Sequence, residues 1–148
     1  MQFQLPQETI FYLLEKSMKR YRKLAQSKID QAGFNISINQ LILLTNIRAR
    51  PESSQVELAE YIFKDFASVA RMVDLLVKKK YLKRTESKVD RRKKDLTLTP
   101  KCISMLDDLV PVMNEYRQIA LQDLSENQTK KTHAYLRHLI KNCESHTS

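Results

Sequence analysis

The chain contains a single glycine, Gly33, among its 148 residues. Glycine adopts positive φ angles without steric cost, so turns that need a left-handed residue are expected to be few. Glycine-rich loops that cradle phosphate groups are excluded, because such loops need several glycines. The chain is therefore expected to be mainly α-helical with short connections. Its length and its 42% content of apolar residues suit one globular domain, residues 1–148.

Apolar spacing predicts four helices in the first part of the chain. Each is marked by recognisable start or stop residues. The predicted spans are 7–32, 38–50, 56–62 and 66–80. Their signals are Gly33 as a stop, Ser37 with Gln40 and Ser54 with Glu57 as capping boxes, and Asp65 as an N-cap. Pro51 disfavours helix at the residue before it and ends the second span.

Two short stretches of strand character follow, Tyr81–Thr85 and Lys94–Thr99. In the second, Leu96 and Leu98 alternate with polar residues, which is typical of a strand with one buried face. A polar and highly basic segment, Glu86–Lys93, lies between the two stretches. This arrangement predicts a β-hairpin with a charged tip.

Two further helices complete the chain. Thr99-Pro100 starts the first, and the capping box of Ser125 with Gln128 starts the second. The resulting order, H-H-H-H-E-E-H-H, is mainly α and contains a winged helix-turn-helix, predicted at residues 37–99. Long helices flank it at 7–36 and 100–145. A winged region of about 60 residues cannot cover both, so we expect these helices to dimerise.

Positive charge is concentrated in one stretch of the chain. The whole chain has a net charge of +9, and residues 78–101 alone hold eleven Lys or Arg against three Asp or Glu, 11 − 3 = +8. This surplus falls on the end of the motif's second helix and on the hairpin. An α-helix fits the major groove of DNA, and an arginine at a hairpin tip can enter the minor groove. The placement favours a DNA-binding surface over a merely solvated one.

Five short segments form a pattern: QVELA at 55–59, VARMVDLL at 69–76, YLKR at 81–84, VDRR at 89–92 and LTLT at 96–99. The Asp-Arg-Arg run followed at this distance by Leu-Thr is the most specific part. With these segments, the stretch from Ser54 to Leu106 resembles the MarR-type winged-helix transcriptional regulators. The family usually has glycine where this chain has Lys80 and Cys102, which indicates a divergent member.

The resemblance implies a homodimeric regulator of transcription, with the recognition helix in the major groove and a wing arginine in the minor groove. It implies a ligand-responsive repressor acting on a promoter inverted repeat, with a small aromatic effector. Asp90 would orient an arginine through a charge-assisted hydrogen bond. The predicted DNA-binding residues are Lys64, Ala67, Ser68, Arg71, Lys88, Asp90, Arg91, Arg92 and Lys93.

Several alternatives stay open from the sequence. Arg71 could form a helical ion pair with Asp74 instead of contacting a base. Cys102, at a helix N-terminus beside Lys101, could be a redox sensor. A basic winged helix could also bind RNA or another protein.

No catalytic residue, cofactor site or metal site is predicted. His133 and His138 are five residues apart, which is the wrong spacing for chelation on one helix face. No apolar stretch is long enough for a membrane span, no secretory signal is visible, and two cysteines do not make a disulfide framework. These features predict a cytoplasmic protein without a membrane partner.

Overall fold

The structure, a computed structural model, describes residues 5–92 and 94–147. The chain forms two compact units, one up to Asn114 and one from Glu115 onward. The prediction of one domain over residues 1–148 stays a prediction. The elements are α1 (Ile10–Gln31), α2 (Ile38–Ala49), α3 (Gln55–Tyr61), α4 (Phe66–Lys78), β1 (Leu82–Glu86), β2 (Lys94–Leu98), α5 (Pro100–Ala120) and α6 (Glu126–Glu144). The predicted element order and the mainly α fold class are confirmed.

Three capping boxes begin helices where the sequence predicted them. At the start of α2, the Ser37 hydroxyl accepts a hydrogen bond from the Gln40 backbone N–H at 3.1 Å, and the Gln40 side chain accepts one from the Ser37 N–H. The same reciprocal pair forms at Ser54 in α3 and at Ser125 in α6. Each pair satisfies backbone donors that a helix start leaves without a partner.

The start of α1 differs from the prediction. The structure begins this helix at Ile10 rather than at residue 7, because the Thr9 hydroxyl accepts a hydrogen bond from the Tyr12 N–H at 3.2 Å and acts as the N-cap. Pro6–Glu8 forms a separate turn of 3-10 helix.

Four of the described residues adopt positive φ angles: Gly33 at 82°, Phe63 at 56°, Lys80 at 60° and Asp123 at 65°. Gly33 ends α1 as predicted. Glycine provides one of these positions, and larger side chains adopt the same conformation at the other three. Lys80 stands where the resembled family usually has glycine, and its backbone has the geometry that favours glycine.

The end of α4 shows why Lys80 is held in this conformation. The Lys80 N–H donates to the Val77 carbonyl at 3.0 Å, and the Tyr81 N–H donates to the Leu76 carbonyl at 2.9 Å. These are the two bonds of a Schellman motif, which needs a left-handed residue after the helix. The motif ends α4 at Lys78, two residues before the predicted end.

The hairpin is antiparallel, with Leu82 opposite Leu98 and Glu86 opposite Lys94. Its buried residues, Leu82 and Leu96, join the hydrophobic core of the first unit and anchor the hairpin there. Both strands lie within one residue of their predicted bounds. β2 stops before Thr99, whose hydroxyl accepts from the Cys102 N–H at 3.2 Å and caps α5.

The core of the first unit lies between the helices and the hairpin. Its fully buried side chains include Ile29, Leu43, Leu44, Val69, Val73, Leu76, Cys102 and Leu109. In the second unit, α6 buries none of its residues. No helix within residues 5–92 and 94–147 combines the length and apolar character required to cross a bilayer.

Candidate nucleic-acid interface

The helix α4 has one buried face and one exposed face. Val69, Val73 and Leu76 are fully buried on the core side. Ala67 and Arg71 are exposed and Ser68 is partly buried, at the spacing of one helical stripe, and Lys64 is exposed just before the helix. The residues predicted to face DNA on this element therefore share the accessible side of α4.

Asp65 fixes the start of α4. Its carboxylate accepts from the Ser68 N–H at 2.8 Å and from the Ser68 hydroxyl at 2.6 Å. These two bonds, the hydroxyl bond first, lower the pKa of the Asp65 carboxyl from its ordinary value, with a smaller contribution from the charge of Arg71. The predicted N-cap is confirmed.

The Arg71 guanidinium donates to the Ser68 hydroxyl at 3.3 Å. Asp65, Ser68 and Arg71 thus form a chain of hydrogen bonds along the exposed start of α4. A guanidinium has five N–H donors, so most of them stay available for a ligand.

The alternative pairing of Arg71 with Asp74 does not form. Asp74 instead accepts from the Arg84 guanidinium at 2.5 Å, an ion pair between α4 and β1. Both side chains are partly exposed, so the contribution of this pair to stability is small. Its geometric effect is to link α4 to the first strand of the hairpin.

Hydrogen bonds to backbone groups order the tip of the hairpin. The Ser87 hydroxyl accepts from the N–H groups of Val89 and Asp90, at 3.2 and 3.3 Å. The Asp90 carboxylate accepts from the Arg92 backbone N–H at 3.0 Å. We predicted that Asp90 would orient an arginine side chain. The structure gives its carboxylate a backbone partner instead, because the tight turn brings that N–H within reach.

Lys88, Arg91 and Arg92 are all exposed around this tip. The remaining predicted wing residue, Lys93, lies outside the described residues. The predicted site residues therefore fall into two groups, one on the open face of α4 and one at the hairpin tip.

An open concavity of about 1470 Å³ lies between the start of α3 and the hairpin. Among the described residues its lining is more acidic than basic, with Glu52, Glu57, Glu86, Asp90 and Asp95 against Arg48, Lys88 and Lys94. Phosphate groups are therefore not favoured inside it. The exposed cationic surface of the hairpin is its tip rather than this concavity.

A sequence model described as the MarR family matches residues 34–93, the stretch that holds α2 to α4 and the hairpin up to its tip. This winged helix-turn-helix stretch is similar to the MarR family. Members of this family are DNA-binding transcriptional regulators rather than enzymes.

Similarity to known transcriptional regulators extends over most of the chain. The HTH-type transcriptional regulator BilQ of Clostridium symbiosum is 26% identical over 140 residues, 95% of this chain and 96% of BilQ. Two solved structures share the fold with a TM-score of 0.82 each. One is BpsR of Bordetella bronchiseptica, 22% identical over 93% of this chain and 97% of that chain. The other is a MarR variant of E. coli complexed with operator DNA, 20% identical over 93% and 99%.

Cys102 does not have the setting of a redox sensor. Its side chain is fully buried, and this burial raises the pKa of the thiol to about 11. The neighbouring Lys101 ammonium donates to the Lys79 carbonyl at 2.9 Å and lies over the Tyr81 ring. The cation expected to stabilise a thiolate thus has other partners, and the thiol stays protonated near neutral pH.

Two exposed aromatic residues beside α4 were missed in the sequence. Phe63 is 88% exposed and Phe66 is 53% exposed, on the turn before α4 and at its first residue. The apolar pattern alone could not identify them, because an aromatic side chain next to a helix is more often buried. The position of Phe66 directly after the predicted N-cap was the one available signal.

Proposed function

We propose that this chain is a cytoplasmic, sequence-specific double-stranded DNA-binding repressor that acts as a homodimer on a promoter inverted repeat. The observation that supports it best is the pairing of an open face on α4 with an exposed basic hairpin tip in one compact unit. These elements match the two grooves of DNA, one wide enough for a helix and one attractive to arginine.

In this proposal Ala67, Ser68 and Arg71 contact base edges in the major groove. Arg71 is the strongest candidate for reading a base, because an arginine can donate two parallel hydrogen bonds to guanine. Lys64 binds phosphate at the entry of the recognition helix.

Arg91 and Arg92 enter the minor groove from the hairpin tip, where the negative potential of DNA is strongest. Lys88, on the same tip, binds the phosphate backbone. Asp90 supports these contacts through its bond to the Arg92 backbone, which shapes the turn. By its place in the sequence, Lys93 belongs to the same basic tip.

Exposed apolar side chains on the terminal helices support the homodimer. On α1 the exposed fractions of Ile10, Phe11 and Leu13 all exceed one half. On α6, Tyr135 and Ile140 are exposed to 71% and 53%. Covering such surface with a second copy would bring two recognition helices about 34 Å apart, the spacing of an inverted repeat.

A small aromatic molecule is proposed as the effector. The BpsR structure concerns the regulation of that protein's DNA binding by 6-hydroxynicotinic acid, an aromatic acid. If such a compound regulates this chain, it must bind the free and DNA-bound states with different affinity. Titrating 6-hydroxynicotinate and related aromatic acids into the protein–DNA complex tests this, and an unchanged DNA affinity for all of them would refute the effector.

The DNA-binding proposal is tested by titration against labelled duplex from the region upstream of the protein's own gene and against a shuffled duplex, at two salt concentrations. Tight, salt-sensitive binding to the native duplex, saturating at one dimer per site, supports the proposal. Equal affinity for both duplexes, in this titration and after selection from a random duplex library, would contradict sequence specificity. Absence of binding to any duplex at low salt would contradict a DNA-binding role altogether.

A further inference from the structure

Phe63 combines two unfavourable features in the turn between α3 and α4. Its φ angle of 56° lies in the left-handed region, which is disfavoured for an aromatic residue. Its side chain is 88% exposed. The neighbouring Ile62 is buried and holds the turn against the core. The contact of this turn with the core is therefore made by Ile62 and not by Phe63.

Hydrogen bonds at the end of α3 fix this geometry. The Phe63 N–H donates to the Glu60 carbonyl at 3.2 Å, and the Lys64 N–H donates to the Ala59 carbonyl at 3.0 Å. These bonds end α3 in the same way as those at Lys80 end α4. They hold the aromatic ring outward, two residues before Asp65, the N-cap of the recognition helix.

The surroundings of Phe63 belong to the proposed DNA interface. Lys64 follows it, and the exposed face with Ala67 and Arg71 begins immediately afterwards. The N-terminal residues of a recognition helix are those that approach base edges. The thymine C5-methyl is the apolar group that base edges present in the major groove, and phenylalanine is among the side chains that contact it.

We propose that Phe63 is a specificity-determining residue that packs against a thymine methyl group in each half-site. This inference rests on the proposed function, sequence-specific binding to duplex DNA. It adds a hydrophobic contact on the turn to the polar contacts proposed for α4, and it commits the half-site to a thymine beside the bases read by the start of the recognition helix.

The test measures binding of the full-length protein to a duplex selected by the wild type from a random library. Each thymine of one half-site is replaced in turn by deoxyuridine, which lacks only the methyl group. We expect one position at which wild-type affinity falls about fourfold, the effect of removing one buried methyl group.

Phe63→Asn is the matched variant, because asparagine tolerates the left-handed conformation and keeps the turn folded. We expect it to bind the thymine duplex more weakly than wild type and to bind the thymine and deoxyuridine duplexes equally. Val89→Ala removes another highly exposed apolar side chain, 97% exposed at the hairpin tip, and should leave the fourfold difference unchanged.

The outcomes separate the inference from the function on which it rests. If the wild type selects a site but responds to no thymine-to-deoxyuridine change, or if Phe63→Asn retains the full response, Phe63 does not read a methyl group and the proposed function stands. The same conclusion follows if Phe63→Asn binds DNA like wild type and loses only an interaction with another protein. If the wild type selects no site from the library, the proposed function fails and the inference with it.

Discussion

Arg71 and Lys88 are both exposed cations, but they lie on different elements and are expected to act differently. Arg71 is held by Ser68 at the start of α4, whereas Lys88 lies at the hairpin tip. Arg71→Ala should weaken binding to the preferred duplex by about 1–3 kcal/mol and reduce discrimination between sites. Lys88→Ala should weaken binding to all duplexes about equally and reduce the salt dependence by about one phosphate contact.

Fluorescence anisotropy with preferred and shuffled duplexes, over a series of salt concentrations, distinguishes the two variants. Asp107→Ala serves as a control, since this residue pairs with Arg48 and not with either predicted DNA-binding group. Identical behaviour of Arg71→Ala and Lys88→Ala on both duplexes would show that the division between base and phosphate contacts is wrong.

Cys102 should be chemically inert in the folded protein, in contrast to the exposed Cys143. Near neutral pH, iodoacetamide should modify Cys143 alone, and peroxide should not change the DNA affinity of a Cys143→Ser variant. The raised pKa favours the protonated thiol in the folded state. The contribution of the buried Cys102 thiol to the free energy of unfolding is therefore complete below pH 9 and is lost as the pH rises towards 11. Rapid modification of Cys102 without denaturant would contradict its burial.

Gly33 and Lys80 both adopt the left-handed conformation just after a helix, but they predict opposite effects of substitution. Lys80→Gly should raise the free energy of unfolding by about 1 kcal/mol, because it removes the strain of a left-handed lysine. Gly33→Ala should lower it by a similar amount, about 1 kcal/mol. A Cβ at Gly33 would meet no atom within 4 Å, so the cost arises from the backbone alone.

Urea unfolding at one fixed protein concentration measures these changes. Lys78→Gly is the matched control, since this lysine is the last residue of α4 and glycine there should be destabilising by about 0.5–1 kcal/mol. Destabilisation by Lys80→Gly comparable to that of Lys78→Gly would show that the left-handed turn does not strain the lysine.

Local signals in the sequence predicted the elements better than their ends or the contacts between them. Ser37, Ser54 and Ser125 identified helix starts, because a capping box is made by residues three positions apart. The left-handed conformations of Phe63 and Lys80 were not visible, because the folded turn imposes them on residues that disfavour them. The bond from Arg84 to Asp74 was missed for a related reason, since it forms only once the hairpin packs beside α4.

At the scale of the whole molecule, α6 provides the test of self-association. Ile140→Arg places a charge on the helix face that also carries Leu136 and Cys143, and should shift the protein from dimer towards monomer. His138→Arg introduces the same residue about 160° away around the helix and should leave the dimer intact. Analytical ultracentrifugation of both variants measures the effect. Unchanged sedimentation of Ile140→Arg would remove this face of α6 from the dimer interface.

Leu82 of the hairpin packs in the same core as the buried face of α4, and the ion pair between Asp74 and Arg84 links the two elements at the surface. This packing holds the exposed face of α4 and the hairpin tip at a fixed distance from each other. In the proposed complex, a base pair inserted between the bases read by α4 and the groove entered by the tip would misalign one of these two contacts. A base pair inserted at the centre of the repeat would instead change the distance required between the two protomers. An effector that alters affinity by geometry must therefore act on the distance between protomers and not on the distance between α4 and the tip within one protomer.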